Sequence, residues 1–327
     1  MRFPILLMRS PIGIVLLLLC APMQARAQIP RVGILIPETG RAENQANKGL
    51  IDELARAGYR NRKNILFEIR NAKRNRGMFQ SLAVDLVKEN VQVILTSGAS
   101  ATRAAATATQ DIPIVFIYAG DPALAGFARG ASAAQTNVAG VAAFARESLD
   151  IRLAFLKEIV PSLQAVHIFY DWNNVSSREN FAQAENQVNK MGLRALGHPI
   201  KSIEELNATI RGLESNRGDA IFQISDDLVD SAGEEIFDLA RQKKIPTMFN
   251  EEAWAIKGAL AAYGPNYVEL GRQAGRLVDE ILKGRPPASL PMQRAAKFDL
   301  ILNYRTATFI GIHLNQQLLK KADKVIR

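Results

Sequence analysis

The sequence predicts an α/β fold of two lobes, each a parallel sheet flanked by helices. Three observations predict it. From Val32 onward, short runs of Val, Ile and Leu alternate with amphipathic helical stripes, the pattern of strands covered on both faces. The alternation comes in two similar series, one ending near Ala142 and one starting at Leu149. Tyr263 to Gly275 then joins an apolar strand to an amphipathic helix through the stiff turn Gly264-Pro265, as a hinge crossing would.

In chain order, the first series reads as strands Val32 to Ile36, Ile65 to Ile69, Val91 to Leu95 and Pro113 to Ile117, with a weaker one from Val138 to Ala142. The helices between them carry apolar positions at helical spacing: Ala46, Leu50, Leu54 and Ala57, then Phe79, Leu82, Ala83, Leu86 and Val87. Ala99 to Ala108 reads as a tightly packing helix. The second series opens on a helix with Leu149, Leu153 and Leu156, which Pro161 ends. Its strands are Ala165 to Tyr170, Arg194 to Ile200, Ala220 to Ile224 and Ile245 to Phe249, separated by stripes such as Phe181, Ala184, Val188 and Met191. Gly258 to Tyr263 reads as a further strand. Asn266 with Glu269 three residues on has the spacing of a helix-capping pair, and Tyr267, Leu270, Ala274, Leu277, Val278 and Ile281 follow at helical spacing until Gly284 and Pro286-Pro287. A strand from Lys297 to Leu302 and a C-terminal helix complete the chain.

The N-terminus reads as an export signal. Arg2 and Arg9 precede the apolar run Ile12 to Leu19, and Ala25-Arg26-Ala27 offers small residues where a signal peptidase reads, so cleavage is expected after Ala27 and the protein in the periplasm. The run is shorter than the roughly 20 residues a transmembrane helix needs. Lipid anchoring at Cys20 fits less well, because Leu19 stands where a lipoprotein signal wants a small residue. The remaining 300 of the 327 residues exceed a usual single core and contain no cysteine, so burial alone must hold them together. Without Arg2, Arg9 and Arg26 the 41 basic residues fall to 38 against 32 acids, a mild +6. Lys73-Arg74-Asn75-Arg76 reads as a solvated loop, so no nucleic-acid partner is expected.

The strand, the turn and the helix pattern Tyr267-x-x-x-Gly271-x-x-Ala274-Gly275 resemble the second inter-lobe crossing of the ABC-transporter substrate-binding proteins related to the tryptophan-binding lipoproteins. Gly120-Asp121-Pro122 and Arg31-Val-Gly-Ile-Leu-Ile-Pro37 add to the likeness, which covers nearly all of Val32 to Ile326. The resemblance implies the periplasmic binding protein type I fold: two Rossmann-like lobes with parallel sheets joined by a multi-crossing hinge. It places the first lobe at 28–142 plus 264–288 and the second at 143–263 plus 289–327. It also implies capture of a small ligand, an amino acid and possibly an aromatic one, which hinge closure traps for delivery to a membrane ABC permease by a monomeric protein. A sensor docking on a receptor kinase, or a binder of an amine-free aromatic carboxylate, would use the same lobes.

In such lobes ligands meet the carboxyl ends of the strands, where helix N-termini present unpaired amides. The loop Thr96 to Thr102 combines Gly98, for close backbone approach, with Ser97, Ser100, Ala101 and Thr102 at a helix start, which suits a carboxylate; simple capping by Ser97 or Ser100 is the other reading. Glu38 and Thr39 follow the first strand, and Tyr118, Gly120 and Asp121 the fourth, Asp121 reading equally as a turn residue before Pro122. From the second lobe come Asn173 with Asp226 or Asp227, beside Ser225, as acceptors for an ammonium group, and Trp172, with Tyr118 of the first lobe, as a ring surface; Asp227 reads also as a helix N-terminus. The family shows Asn-Pro and Thr-Asp-Asn at these two points, so the polar set differs here. Asn250 and Trp254 occupy the last loop, Trp254 as a stacking wall or as core.

No enzyme is expected. His167, His198 and His313 lack metal-ligand spacing, the sole cysteine is in the export signal, and nucleophile-elbow, phosphate-loop and His-Glu-x-x-His motifs are missing. Neither cofactor nor metal is called for.

Overall fold

The chain's apolar runs form two sheets whose topologies repeat one another. The computed structural model describes residues 29–37, 40–73, 75–118, 120, 122, 137–143, 148–214, 216, 218–224 and 226–327. The first series gives β1 (Arg31–Ile36), α1 (Arg41–Arg56), β2 (Leu66–Asn71), α2 (Phe79–Lys88), β3 (Val93–Ser97), α3 (Ala99–Ala108), β4 (Ile114–Tyr118) and β5 (Val138–Ala142). The second gives α4 (Leu149–Ile159), β6 (Ala165–Asp171), α5 (Val175–Lys190), β7 (Arg194–Ile200), α6 (Ile203–Gly212), β8 (Asp219–Phe222), α7 (Asp227–Ser231), α8 (Gly233–Gln242) and β9 (Thr247–Phe249). Next come α9 (Glu252–Lys257), β10 (Ala261–Pro265), α10 (Tyr267–Leu282), β11 (Gln293–Arg294), β12 (Phe298–Asn303), α11 (Tyr304–Ile310), α12 (Gln316–Lys321) and β13 (Lys324–Ile326).

The first sheet runs β11-β5-β4-β3-β1-β2 with every pair parallel, and the second β13-β12-β10-β9-β8-β6-β7. The second sheet is not wholly parallel. Because β12 returns beside the hinge strand, it pairs antiparallel to β10, and β13 follows β12. Both faces of both sheets are covered: α1 with α10 on one face of the first sheet and α2 with α3 on the other, α4 and α5 on one face of the second and α6, α8 and α9 on the other. The order reverses between β1 and β3 in the first sheet and between β6 and β8 in the second, and a crevice opens at such a point in doubly wound folds.

Several elements depart from the sequence reading. Gly258, at φ +139, closes the unexpected α9, so the strand that follows starts at Ala261 and runs through Gly264-Pro265. The expected C-terminal helix is two short ones divided at Gly311, followed by β13. Gln293 and Arg294 pair with β5, so the first sheet draws on residues beyond 288, and the third passage between sheets follows Arg294. The passages lie side by side: Ala295 N donates to Ala142 O at 2.8 Å and Asn266 N to Lys297 O at 3.0 Å. Where α10 crosses α1 the backbones nearly touch. A methyl group on Gly271 would lie 1.9 Å from Ala46 O, so only glycine permits this approach. No helix among the described residues is long and apolar enough to cross a membrane.

Candidate functional site

At the reversal point of the first sheet, β3 turns into α3 through Gly98, whose φ of +85 disfavours other residues. Thr102 is fully buried: its Oγ1 donates to Gly98 O at 2.8 Å and shares a 2.8 Å bond with Thr96 Oγ1. Thr102 and buried Ala101 therefore brace the turn from below. Ser97, Gly98, Ala99 and Ser100 are half-buried at its rim, and no side chain caps α3. The capping reading of Ser97 and Ser100 does not hold, and the first amides of α3 keep their capacity for an acceptor.

Tyr118 ends β4 with its ring over Gly120, where an added Cβ would lie 2.6 Å from the hydroxyl, and its carbonyl accepts from Ala143 N at 2.8 Å beside the first passage. Glu38, Thr39, Asp121 and Ser225 lie outside the described residues, as does the side chain of Asp227.

At the reversal point of the second sheet, Asp226 is 4 % exposed. Its Oδ1 caps α7 through Leu228 N and Val229 N at 2.9 and 3.0 Å, and its Oδ2 accepts from Asp171 N at 2.8 Å. Three backbone donors already hold this carboxylate, so its expected role as an ammonium acceptor gives way to that of a brace between the two loops. Trp172 is 48 % exposed, tilted against Tyr170 at 6.5 Å and flanked by Arg178, which donates to its carbonyl. Asn173 is exposed beside it, its N–H on Asp171 Oδ1 at 2.8 Å. Trp254 is half-buried on α9: its ring packs on Phe237 and Phe249 at 5.9 and 6.0 Å, against one face of the second lobe's core. Asn250 is buried, its carbonyl 1.7 Å from where a Gly264 Cβ would stand, which makes it part of the packing beneath the hinge strand.

A contact set between the lobes completes the picture. Glu252 accepts from Arg41 Nη2 at 3.2 Å and Gln45 Nε2 at 2.8 Å on α1, and from Lys324 of its own lobe. Burial pushes its carboxyl up, but Gln45, Lys324 and Arg41 outweigh that and hold it below the usual range. Beside it, a recess of about 40 Å³ lined by Gln45, Glu252, Asn266, Tyr267 and Asp299 admits water but not an amino acid. A larger concavity of about 460 Å³ lies open over the N-terminal half of α1, lined by Gly40, Arg41, Asn44, Gln45 and Lys48.

Residues 31–326 match the model of the ABC transporter substrate binding protein family. The chain belongs to that family. It is thus the solute-binding part of an ABC transport system and not an enzyme, as the sequence implies. This substrate-binding protein is 28 % identical over 263 residues to a tyrosine-binding protein of Clostridioides difficile, covering 80 % of this chain and 75 % of that one. A ligand-free, open substrate-binding protein from Clostridium difficile is 25 % identical, with a TM-score of 0.76 over 91 % of this chain and 99 % of that one. An ABC domain from Streptococcus pneumonia, solved in complex with L-Trp, shares the fold at 22 % identity and a TM-score of 0.78, again over 91 % and 99 %. The two lobes are those of type I periplasmic binding proteins.

For this substrate-binding protein, sequence reasoning does not reach Glu251, Glu252 or Arg152. The two glutamates sit in what reads as a loop, and their partners Tyr267 and Gln45 are distant in sequence. Arg152 had a visible signal: it stands between Leu149, Leu153 and Leu156, a charge on the buried stripe of α4.

Proposed function

We propose that the protein, exported and freed of residues 1–27, captures an amino acid with an aromatic side chain between its lobes, closes over it by hinge motion and presents it to a membrane permease. The observation that carries this reading is the uncapped first turn of α3, where Ser97, Gly98 and Ser100 stand at a reversal point with amides free to receive a carboxylate. The tyrosine-binding relative supports the aromatic class. Trp172, exposed at the matching point of the other sheet, and Tyr118 offer ring surfaces, while Asn173 and Asp227 remain as acceptors for the amine.

Thermal unfolding of the purified protein against a panel of amino acids and amine-free aromatic acids tests this. A ligand at about 100 times its Kd stabilises the folded state by roughly 2.7 kcal/mol, a shift of several degrees. Tyrosine, tryptophan or phenylalanine should give the largest shift. A shift confined to amine-free acids would remove the amine contacts, and no shift with any amino acid would end the amino-acid reading.

A further inference from the structure

Arg152 enters the sheet edge from the first turns of α4, its guanidinium carbon 4.4 Å from the centre of the Phe222 ring. The residue is 2 % exposed. Its Nη2 donates to the carbonyl of Gln223, with Gln223 Oε1 at 3.5 Å and Met248 O at 3.4 Å, which puts the head group at the C-terminal edge of β8 and β9. That edge borders the loop braced by Asp226.

Every one of those acceptors is neutral. Among the described residues no carboxylate is paired with Arg152, and the buried Nε has no hydrogen-bond partner. Among the described residues a negative charge stands one residue removed: Gln223 Nε2 donates to Asp230 Oδ1 at 2.7 Å. Burial lowers the Arg152 pKa to about 9, with Asp230 opposing, so the group is still a cation at neutral pH. Holding a guanidinium in a low-dielectric interior without a direct counter-charge is costly. A strut between β8 and β9 would need only neutral N–H donors, as an amide supplies. The retained charge and the idle Nε both ask for an anion.

We propose that Arg152 is the second-lobe anchor for the ligand's carboxylate, its guanidinium at the C-terminal edge of β8 and β9 pairing with the group that the first turn of α3 receives from the other lobe. This rests on the amino-acid reading above. It gives closure a driving force, since the anion held on one lobe neutralises a buried cation on the other. It also makes the carboxylate a condition for closure, so that an uncharged analogue of the same shape is rejected.

Calorimetric titration of the purified protein with L-tyrosine and L-tyrosinamide, in wild type, Arg152→Lys and Arg152→Met, decides it. Wild type should bind the acid about 100-fold more tightly than the amide, in line with a buried charge pair. The Met variant should lose acid affinity by about 30- to 1,000-fold while amide binding stays within a few-fold, so that the preference collapses. The Lys variant keeps the charge and most of the stem over Phe222 and should keep part of the preference; it carries the test if the Met variant does not fold. An unchanged acid-to-amide ratio in the variants, even with a lowered melting temperature, would make Arg152 a strut and overturn the assignment while leaving the amino-acid reading intact. Failure of wild type to bind any amino acid would overturn both.

Discussion

Tyr267 donates its hydroxyl hydrogen to Glu251 Oε1 at 2.6 Å, tying the first residue of α10 to the loop that follows β9. The bond spans the second passage between the lobes, next to Asn266, whose side chain caps α10 and also reaches Asp299 at 2.6 Å. Burial raises the Glu251 carboxyl pKa and the Tyr267 bond opposes it, while burial and then the Glu251 charge keep the Tyr267 proton firmly in place.

Tyr267→Phe removes the donor and leaves a half-buried acceptor, which costs about 1 kcal/mol. Glu251→Gln should cost less, because its amide oxygen still accepts from the hydroxyl. Urea unfolding of both variants checks the order, and a Phe variant as stable as wild type would refute it.

The second lobe carries a pH dependence of its own. His167 Nδ1 and His198 Nε2 are 2.9 Å apart, so one ring must donate and the other accept, and His167 Nε2 lies 3.6 Å from Asp219. Burial and then His167 bring His198 down to about 4, and burial lowers His167 against the pull of Asp219. A histidine whose folded pKa lies below its unfolded value stabilises the fold above the unfolded value near 6.5 and loses that as pH falls toward 4. Discounted for the partial exposure of His198, the loss from pH 7 to pH 4 is roughly 2 kcal/mol. His198→Gln keeps a partner for His167 without titrating and should flatten the profile in acid unfolding; an equally steep profile would place the dependence elsewhere.

Asp226 separates structural from ligand roles. Asp226→Ala removes an acceptor for three backbone N–H groups, Asp171, Leu228 and Val229, and should cost about 2–3 kcal/mol. If Asp226 is a brace, Asp226→Asn recovers part of that stability, and its preference for a ligand with an amine over one without stays as in wild type. A lost preference with unchanged stability would restore the ammonium role.

How far the sequence carries is clear from these residues. β4 and β6 are legible because apolar runs bounded by turn residues have few other folds open to them, and the Asn266 cap because its partner is three residues away. β11 is not, since Gln293 and Arg294 become a strand only by pairing with β5, about 150 positions earlier. The loops at the reversal points are legible as candidates because doubly wound topology opens a crevice there. What each side chain does in them is not: the tie from Asp226 to Asp171 spans 55 positions, and the same aspartate reads as a ligand residue or a cap until that partner is known. Trp254 stays open between wall and core in the sequence for a similar reason, as its neighbours Phe237 and Phe249 reach it through packing and not through spacing.

Glu252 bridges the two lobes, and its variants should therefore act on closure and not on recognition. Arg41 and Gln45 lie on α1 of one lobe while Glu252 and Lys324 belong to the other, so the contact adds to the stability of the arrangement that holds the lobes together. Exposed ion pairs are worth at most about 1 kcal/mol, but the Gln45 bond is half-buried and adds to it. Glu252→Ala should therefore shift the balance toward the open form by about 1–2 kcal/mol and weaken binding by roughly 5- to 30-fold, mainly through faster release. Because the loss comes from the lobe equilibrium, it should be the same for every ligand, L-tyrosinamide included, whereas Arg152 variants penalise the acid alone. X-ray scattering should show a larger mean radius for the ligand-free variant that returns to the wild-type value at saturation. A variant with wild-type radius and selectively weakened tyrosine binding would instead make Glu252 a contact residue of the ligand.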